Sequence, residues 1–366
     1  MRIKAAVVRD RQTLPCIEDL DISGPGAGEV LVKVVATGIC HTDLKFAGHD
    51  GPMPKPIVLG HEGAGIVASV GAGVDKVAAG DHVVLTFGSC GVCPSCRNAE
   101  PAYCHDLAAL NFGGRKAAAA RYVDAAGEPV NGDFFSQSSF ATYAVAPQRG
   151  VVKVRPDAPL ELLGPMGCGF QTGAGAVFND FGMRPGQTLA VFGAGAVGLA
   201  AVMAARIAGS GHIVAIDRNP RRLELARGFG ADTTILAGDA PASAAVLEQV
   251  AHGVDFALDT TGALPVIRQA IESLAPRGVA GVVATPSDNA APFVCARHLQ
   301  LGRSVKGINE GNSNPDVLIP MLVDFFMQGR FPIDRIVRFY GFDEIAAAFE
   351  DMRDGTTVKP IIRIAP

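Results

Sequence analysis

The sequence contains no tryptophan and only 4 tyrosines in 366 residues. That scarcity argues against an aromatic-walled binding sandwich. A run of like charge long enough to follow a nucleic-acid backbone is also missing, and the net charge is −4, so a nucleic-acid partner is disfavoured. The amino terminus, Met1 to Asp10, carries too short an apolar run for a signal peptide, and the expectation is a cytoplasmic protein. The longest uncharged stretch lies between Arg184 and Arg206. Pro185, Gly186, Gly193, Gly195 and Gly198 break it, so it reads as strand, glycine turn and buried helix, with no membrane span. Internal repeats are absent.

What is present is an ordinary globular balance, with 48% hydrophobic and 19% charged residues, which excludes a disordered or fibrous chain. At roughly 150 residues per domain the length implies about two domains. The 44 glycines suit the tight turns of an α/β protein.

Four of the eight cysteines form Cys90-x2-Cys93-x2-Cys96-x7-Cys104. Thiolates this close along one loop can converge on one ion. Four soft ligands with no open position make a closed, structural zinc site. An iron–sulfur cluster is the rival, and the x7 gap fits it poorly. Gly88, Gly91 and Pro94 in the same loop suggest that metal replaces a hydrophobic core there. Cys40, in Cys40-His41-Thr42-Asp43, and Cys168, in Gly167-Cys168-Gly169, flank Gly60-His61-Glu62-Gly63. Cys, His and Cys supply three zinc ligands with one position left for substrate or water. Spacing alone is weak support, because only folding joins residues so far apart, and an isolated buried Cys or His is usually structural. Cys16 and Cys295 read as ordinary thiols.

Thr188 to Phe192 reads as a buried strand that runs into Gly193-Ala194-Gly195-Ala196-Val197-Gly198, and an apolar helix follows from Leu199 to Ile207. This is the context of a dinucleotide fingerprint, with pyrophosphate at the helix N-terminus. A second strand, His212 to Ile216, ends at Asp217, 19 residues after Gly198. A carboxylate there suits the adenosine ribose hydroxyls and repels a 2′-phosphate, favouring NAD over NADP, while Arg218 and Arg222 temper that preference. Strand Val254 to Leu258, helix Leu264 to Leu274 and strand Gly278 to Ala284 continue a doubly wound parallel sheet. The strand ends Asp259 to Gly262, with Thr261, and Val283 to Pro286 are expected to line the cofactor.

Residues 1–169 have another texture, with short Val-rich segments at Glu29 to Ala36, Gly63 to Val70, Asp81 to Leu85 and Ser139 to Val145. They read as a mostly antiparallel β domain, with a zinc lobe at about 88–106. The Rossmann segment covers 170–309. Residues 310–366 return to a mixed pattern, with helices at Asp316 to Gln328 and Asp343 to Asp351 and a closing strand from Lys359 to Ile364. Phe112 to Gly132 is expected to be an exposed loop.

In this order, Gly60-His61-Glu62, the four-cysteine lobe, Gly167-Cys168-Gly169 and the glycine fingerprint resemble the zinc-dependent medium-chain alcohol dehydrogenases over nearly the whole chain. The resemblance implies a GroES-like catalytic domain interrupted by a Rossmann domain, with the active site in the cleft between them. It also implies two zinc ions per chain, NAD, and a homodimer or homotetramer. Cys40, His61 and Cys168 then match the catalytic zinc ligands, Glu62 an acid beside zinc, and Asp43 the carboxylate that orients the ligating His. Thr42 matches the hydroxyl that meets the alcohol. His41, Thr172, Arg222 and Lys359 fall where relatives touch the cofactor, Lys359 near the pyrophosphate. One departure is Lys45, where many members have the His that ends a proton relay. Asn111-Phe112-Gly113-Gly114 and Phe134 to Ala141 resemble the aryl- and allylic-alcohol branch, which includes benzyl alcohol and geraniol dehydrogenases. Phe134 and Phe135, with Thr86 below, would wall an apolar pocket, or simply pack the β domain. The implied reaction is reversible oxidation of a primary aromatic or allylic alcohol to its aldehyde. The alternatives are a glutathione-dependent formaldehyde dehydrogenase and a non-catalytic, zinc-stabilised NAD-binding protein.

Overall fold

A computed structural model describes residues 1–11, 14–48, 53–114, 120–284 and 298–364. The chain forms two compact units. One comprises Met1–Cys168, Asn314–Met327 and Ile333–Pro366, and the other comprises Gly169–Ser313 and Gln328–Pro332. The return to the first unit thus follows Ser313, where the sequence reading put it at residue 310.

The first unit begins with β1 (Arg2–Val8), β2 (Cys16–Ile22) and β3 (Glu29–Gly38), then helix α1 (His41–Ala47). β4 (Ile57–Val58), β5 (Glu62–Val70) and β6 (His82–Leu85) follow. Short helices α2 (Pro94–Arg97) and α3 (Leu107–Phe112) precede β7 (Tyr122–Val123), β8 (Pro129–Val130), β9 (Tyr143–Pro147) and β10 (Val151–Lys153). β1, β2, β4, β7 and β8 make one antiparallel sheet. Phe112 to Gly132 is therefore not simply an exposed loop. Tyr122 and Val130 are fully buried in this sheet, and Arg121 is buried between Glu29 and Asp133. The short hydrophobic segments there are too brief for a period to show, and residues 115–119 lie outside the described residues.

The larger sheet sets up the functional groups. Its central strand β3 has neighbours on both edges, and most of its side chains are buried, Lys33 being exposed. On one edge it pairs antiparallel with β5, with Gly38 opposite Glu62, so the residue pairs just beyond the two strand ends, Ile39-Cys40 and Gly60-His61, come together. β6 pairs with β5 and β10 pairs with β6. The expected strand at Ser139 starts only at Tyr143. Ser139 and Phe140 instead donate their N–H groups to Gly60 and Leu59, crossing behind His61.

The second unit opens with α4 (Gly169–Gly175) and then a parallel sheet: β11 (Thr188–Phe192), β12 (His212–Asp217), β13 (Thr233–Leu236), β14 (Val254–Asp259), β15 (Leu274–Val282) and β16 (Ser304–Gly307). The strand order is β13-β12-β11-β14-β15-β16, all parallel. Helices α5 (Ala196–Ala208), α6 (Pro220–Gly228), α7 (Ala242–Gln249) and α8 (Leu264–Glu272) supply the crossovers. Residues Leu199 to Ala205 of α5 are wholly buried, which is why this helix carries an apolar sequence all round.

The chain then returns to the first unit with a helix over Pro315–Met327, β17 (Val337–Gly341), a helix over Ile345–Arg353 and β18 (Lys359–Arg363). β18 pairs antiparallel with β3 at Ala36 to Gly38, on the stretch of that edge beyond the part held by β9. No helix among the described residues is long and apolar enough to cross a membrane.

Candidate functional site

The sulfurs of Cys90, Cys93, Cys96 and Cys104 all lie within 4.8 Å of one another, and none of them is in a disulfide. The N–H groups of Val92 and Cys93 point at Cys90 Sγ from 3.5 and 3.3 Å, and the N–H of Cys90 points at Cys104 Sγ from 3.3 Å. Such donors favour thiolate. Backbone N–H groups, first that of His105 and then that of Cys96, draw the Cys93 thiol down to about 6, whereas burial pushes Cys96 up to about 12. Four thiols with such opposed tendencies do not ionise together unaided. A divalent cation among them supplies the missing positive charge, so the donor set fits a closed tetrahedral zinc site.

The second cluster is assembled at the strand ends. Donor atoms of Cys40, His61, Glu62 and Cys168 lie within 4.8 Å of one another, and all but Cys40 are buried. Asp43 ties two of them together. Its Oδ2 accepts from the Cys40 N–H at 2.9 Å, and its Oδ1 accepts from the Gly60 N–H at 3.1 Å and lies 3.0 Å from His61 Nδ1. A carboxylate at Nδ1 keeps the proton there and turns the Nε2 lone pair outward. His61 Nε2 is buried with no hydrogen-bond partner among the described residues, a costly condition that a cation beside it relieves. The chain does not position Cys168 alone either. Thr86 Oγ1 donates to the Gly167 carbonyl at 2.7 Å, and a Cβ on Gly167 would collide with the Leu85 carbonyl. The Cys40 thiol is held well below the ordinary thiol range, first by its hydrogen bond with Cys168, then by His61. Burial pulls His61 down, but the charge and hydrogen bond of Asp43 outweigh it and hold the ring above its usual value.

Lys359 has a partner that the sequence does not suggest. Expected near a pyrophosphate, it is fully buried in β18, with Nζ 2.8 Å from each Glu62 oxygen and 3.0 Å from the Ile39 carbonyl. Its three donors are thus committed inside the first unit, because β18 and β5 flank β3 on its two edges and both reach Gly38. A Cβ on Gly38 would fall on the Glu62 carboxylate, so that glycine makes room for it.

Thr42 Oγ1 lies 3.7 Å from Cys40 Sγ, on the first turn of α1. His41 and Lys45 are exposed on the same helix. Phe134 is fully buried, with Phe46 and Phe112 around it, and belongs to the core. Phe135 lies flat on the His61 ring, with centroids 4.3 Å apart and an interplanar angle of 18°. Thr86 is buried, and its hydroxyl is engaged with Gly167. Sequence reasoning missed Gln137, whose amide accepts from the Gly63 N–H and donates to the His61 carbonyl at 3.0 Å. It also gave no role to Asn111, which bonds both the N–H and the carbonyl of Gly88, below the cysteine lobe. Both residues sit in the two segments that suggested the aryl-alcohol branch, so the signal was present without its reason.

In the second unit the fingerprint glycines have three different reasons. Gly193 has φ +98°, and a Cβ there would strike Thr260. A Cβ on Gly198 would strike the Gly193 carbonyl, which fixes the close approach of α5 to the turn. Gly195 faces open space, so no contact among the described residues requires a glycine there. A ligand that needs the backbone bare does require it, which fits a pyrophosphate. Asp217 stands at the end of β12, with Oδ2 2.7 Å from the Ala194 N–H and Oδ1 2.8 Å from the Asn219 N–H. Arg222 Nε is buried in α6 without a hydrogen-bond partner among the described residues. Asp259 is buried and accepts from Thr261 Oγ1 at 2.7 Å and from the Gly262 N–H at 2.9 Å, shaping the turn after β14. The Val283 N–H donates to the Asp259 carbonyl at 3.1 Å. Thr172 is in α4, while Thr285, Pro286 and Cys295 lie outside the described residues.

Residues 26–156 match the family model for the alcohol dehydrogenase GroES-like domain, and residues 196–326 match that for zinc-binding dehydrogenases. The chain is 43% identical to a geraniol dehydrogenase of Castellaniella defragrans, over 98% of this chain and 97% of that one. Among solved structures it is similar to an alcohol dehydrogenase zinc-binding domain protein from Burkholderia ambifaria, at TM-score 0.97 and 49% identity. It is also similar to a benzyl alcohol dehydrogenase from Acinetobacter calcoaceticus, at TM-score 0.94 and 44% identity. Each of these two structures covers 100% of both chains.

Proposed function

The chain belongs to the zinc-dependent medium-chain alcohol dehydrogenases, and we propose that it oxidises a primary aromatic or allylic alcohol reversibly to its aldehyde, with NAD as partner. The observation that carries this reading is the convergence of Cys40, His61 and Cys168 donor atoms on one point, with His61 oriented by Asp43. A zinc ion at that point supplies Lewis acidity that lowers the pKa of an alcohol by several units. NAD, held at the glycine turn of the second unit, would supply the hydride acceptor.

The chain's own residues divide the remaining work. Cys40, His61 and Cys168 hold the ion and leave one position open. Glu62, kept in place by Lys359, is an acid within reach of the same point. The Thr42 hydroxyl takes the substrate proton and passes it toward solvent, where exposed His41 and Lys45 stand on the same helix. Phe135 offers an apolar face beside His61, which suits an unsaturated or aromatic substituent. The two relatives that act on geraniol and benzyl alcohol support the same substrate class.

A second zinc ion belongs to Cys90, Cys93, Cys96 and Cys104 and is structural. In the second unit, the amides around Gly193, Gly195 and Gly198 take the pyrophosphate. Asp217 takes the adenosine ribose and disfavours a 2′-phosphate, and Arg222, Thr172, Thr261 and Val283 complete the cofactor surface. The first unit is then the catalytic domain and the second the NAD domain, in a cytoplasmic homodimer or homotetramer. The test is a substrate panel with NAD and NADP. Benzyl alcohol or geraniol with NAD is expected to exceed ethanol in kcat/KM by about 100-fold. A preference for S-hydroxymethylglutathione, or no turnover at all, contradicts the reading.

A further inference from the structure

Glu310 lies where the cofactor reading leaves a charge without a function. The sheet order β13-β12-β11-β14-β15-β16 reverses direction at β11, whose C-terminal end carries the fingerprint. A dinucleotide lies across the carboxyl ends of such a sheet with its pyrophosphate at that switch point. Asp217, at the end of β12, marks the adenosine side. The nicotinamide side is therefore the side of β14, β15 and β16. The segment after β16 is anchored there, because the Ile308 N–H donates to the Val282 carbonyl at the end of β15 at 2.9 Å.

Three consecutive residues of this segment are left-handed: Glu310 (φ 47°), Gly311 (φ 65°) and Asn312 (φ 47°). Such a conformation costs of order 1–3 kcal/mol at each non-glycine residue and persists only where the surroundings enforce it. Here Asn179 Nδ2 donates to the carbonyls of Gly311 and Asn312, both at 3.1 Å. Gly311 itself lies so close to the backbone of Gln171, Thr172 and Gly175 that a Cβ would not fit. The turn presents the Glu310 carboxylate to α4, where Oε2 accepts from Thr172 Oγ1 at 3.4 Å and from Gln171 Nε2 at 3.5 Å. Both bonds are long for a carboxylate.

We infer that Glu310 discriminates between the oxidation states of the cofactor: its carboxylate, fixed on the nicotinamide side, binds the cationic ring of NAD+ in preference to the neutral ring of NADH. This rests on the NAD reading above. The two ligands carry the same phosphates and riboses and differ by one positive charge on the ring, so a fixed negative charge on that side acts on their difference alone. Within the low effective dielectric of a protein, one such charge is worth on the order of tenfold in relative affinity. The equilibrium of the overall reaction is unaffected. Instead, NADH leaves faster and NAD+ occupies more of the free protein, which biases the chain toward alcohol oxidation at equal cofactor concentrations.

The experiment is measurement of Kd for NAD+ and for NADH, by calorimetry and by nicotinamide fluorescence, on the zinc-loaded full chain and on Glu310→Gln. The amide keeps the size of the carboxylate, and its oxygen can still accept from Thr172 and Gln171, while its charge is removed. The ratio Kd(NADH)/Kd(NAD+) is expected to fall about tenfold in the variant and to survive in Glu310→Asp. If both constants change by the same factor, Glu310 only shapes the loop and the inference is overturned; unchanged constants overturn it equally. If Glu310→Gln does not fold, the ratio for the unmodified protein at low and high salt serves instead. It is expected to fall with salt, and a constant ratio overturns the inference. An unmodified chain that binds neither dinucleotide overturns the NAD reading itself, a result distinct from these.

Discussion

Lys359 holds Glu62 by a buried, two-pronged ion pair: its Nζ is 2.8 Å from both carboxylate oxygens, and neither side chain reaches solvent. Burial alone lowers the Lys359 ammonium, but the charge of Glu62 more than restores it and holds the lysine above its ordinary value. Burial raises Glu62 as well, against the pull of Lys359. The pair thus keeps an acid beside the candidate metal ligands without hydration.

Lys359→Met is expected to leave that carboxylate buried and uncompensated. Breaking a buried pair from one side costs about 3–5 kcal/mol, so the denaturation midpoint should fall sharply. Adding Glu62→Gln should recover part of the loss. A variant that keeps full stability and loses only NAD affinity would instead support the pyrophosphate role that the resemblance implies.

Asp43→Asn is expected to weaken the first zinc site about 10–100-fold, because the ring of His61 loses the acceptor that fixes its tautomer. Competition with a chelator reads this directly. The four-cysteine site has no contact with Asp43 and should keep its metal, which makes it an internal control.

Gly195→Ala and Gly198→Ala should separate ligand from fold. The first places a methyl in open space, so the melting temperature should hold while NAD affinity falls about tenfold or more. The second drives a methyl into the Gly193 carbonyl and should cost about 1–3 kcal/mol of stability. Equal effects of the two substitutions on stability would contradict the different reasons assigned to them.

Cys93→Ser is expected to release one zinc ion and lower Tm by about 5–10 °C, because metal stands in for a core in that lobe. Inductively coupled plasma analysis and a thermal melt check it. Unchanged zinc content would exclude Cys93 as a ligand.

The parts of this protein that were legible in the sequence are those with a short-range pattern. The β11 strand, its glycine turn and α5 lie within some twenty residues, and the four-cysteine lobe within fifteen, so spacing carries their geometry. The resemblance groups Cys40, His61 and Cys168, but only the pairing of β3 with β5 and the Thr86–Gly167 bond explain how they meet. The pairing of Lys359 with Glu62 is not legible, because the two are 297 residues apart and the link depends on where β18 docks. The hairpin of β7 and β8 leaves no mark in the sequence because each strand is two residues long, shorter than any period can reveal.

Zinc-edge anomalous diffraction from crystals of the full chain tests the central claim most directly. The account expects two peaks per chain, one among Cys90, Cys93, Cys96 and Cys104 and one touching Cys40, His61 and Cys168 with a coordination position left over. A peak at the four-cysteine lobe alone, with His61 Nε2 facing no metal, would contradict it.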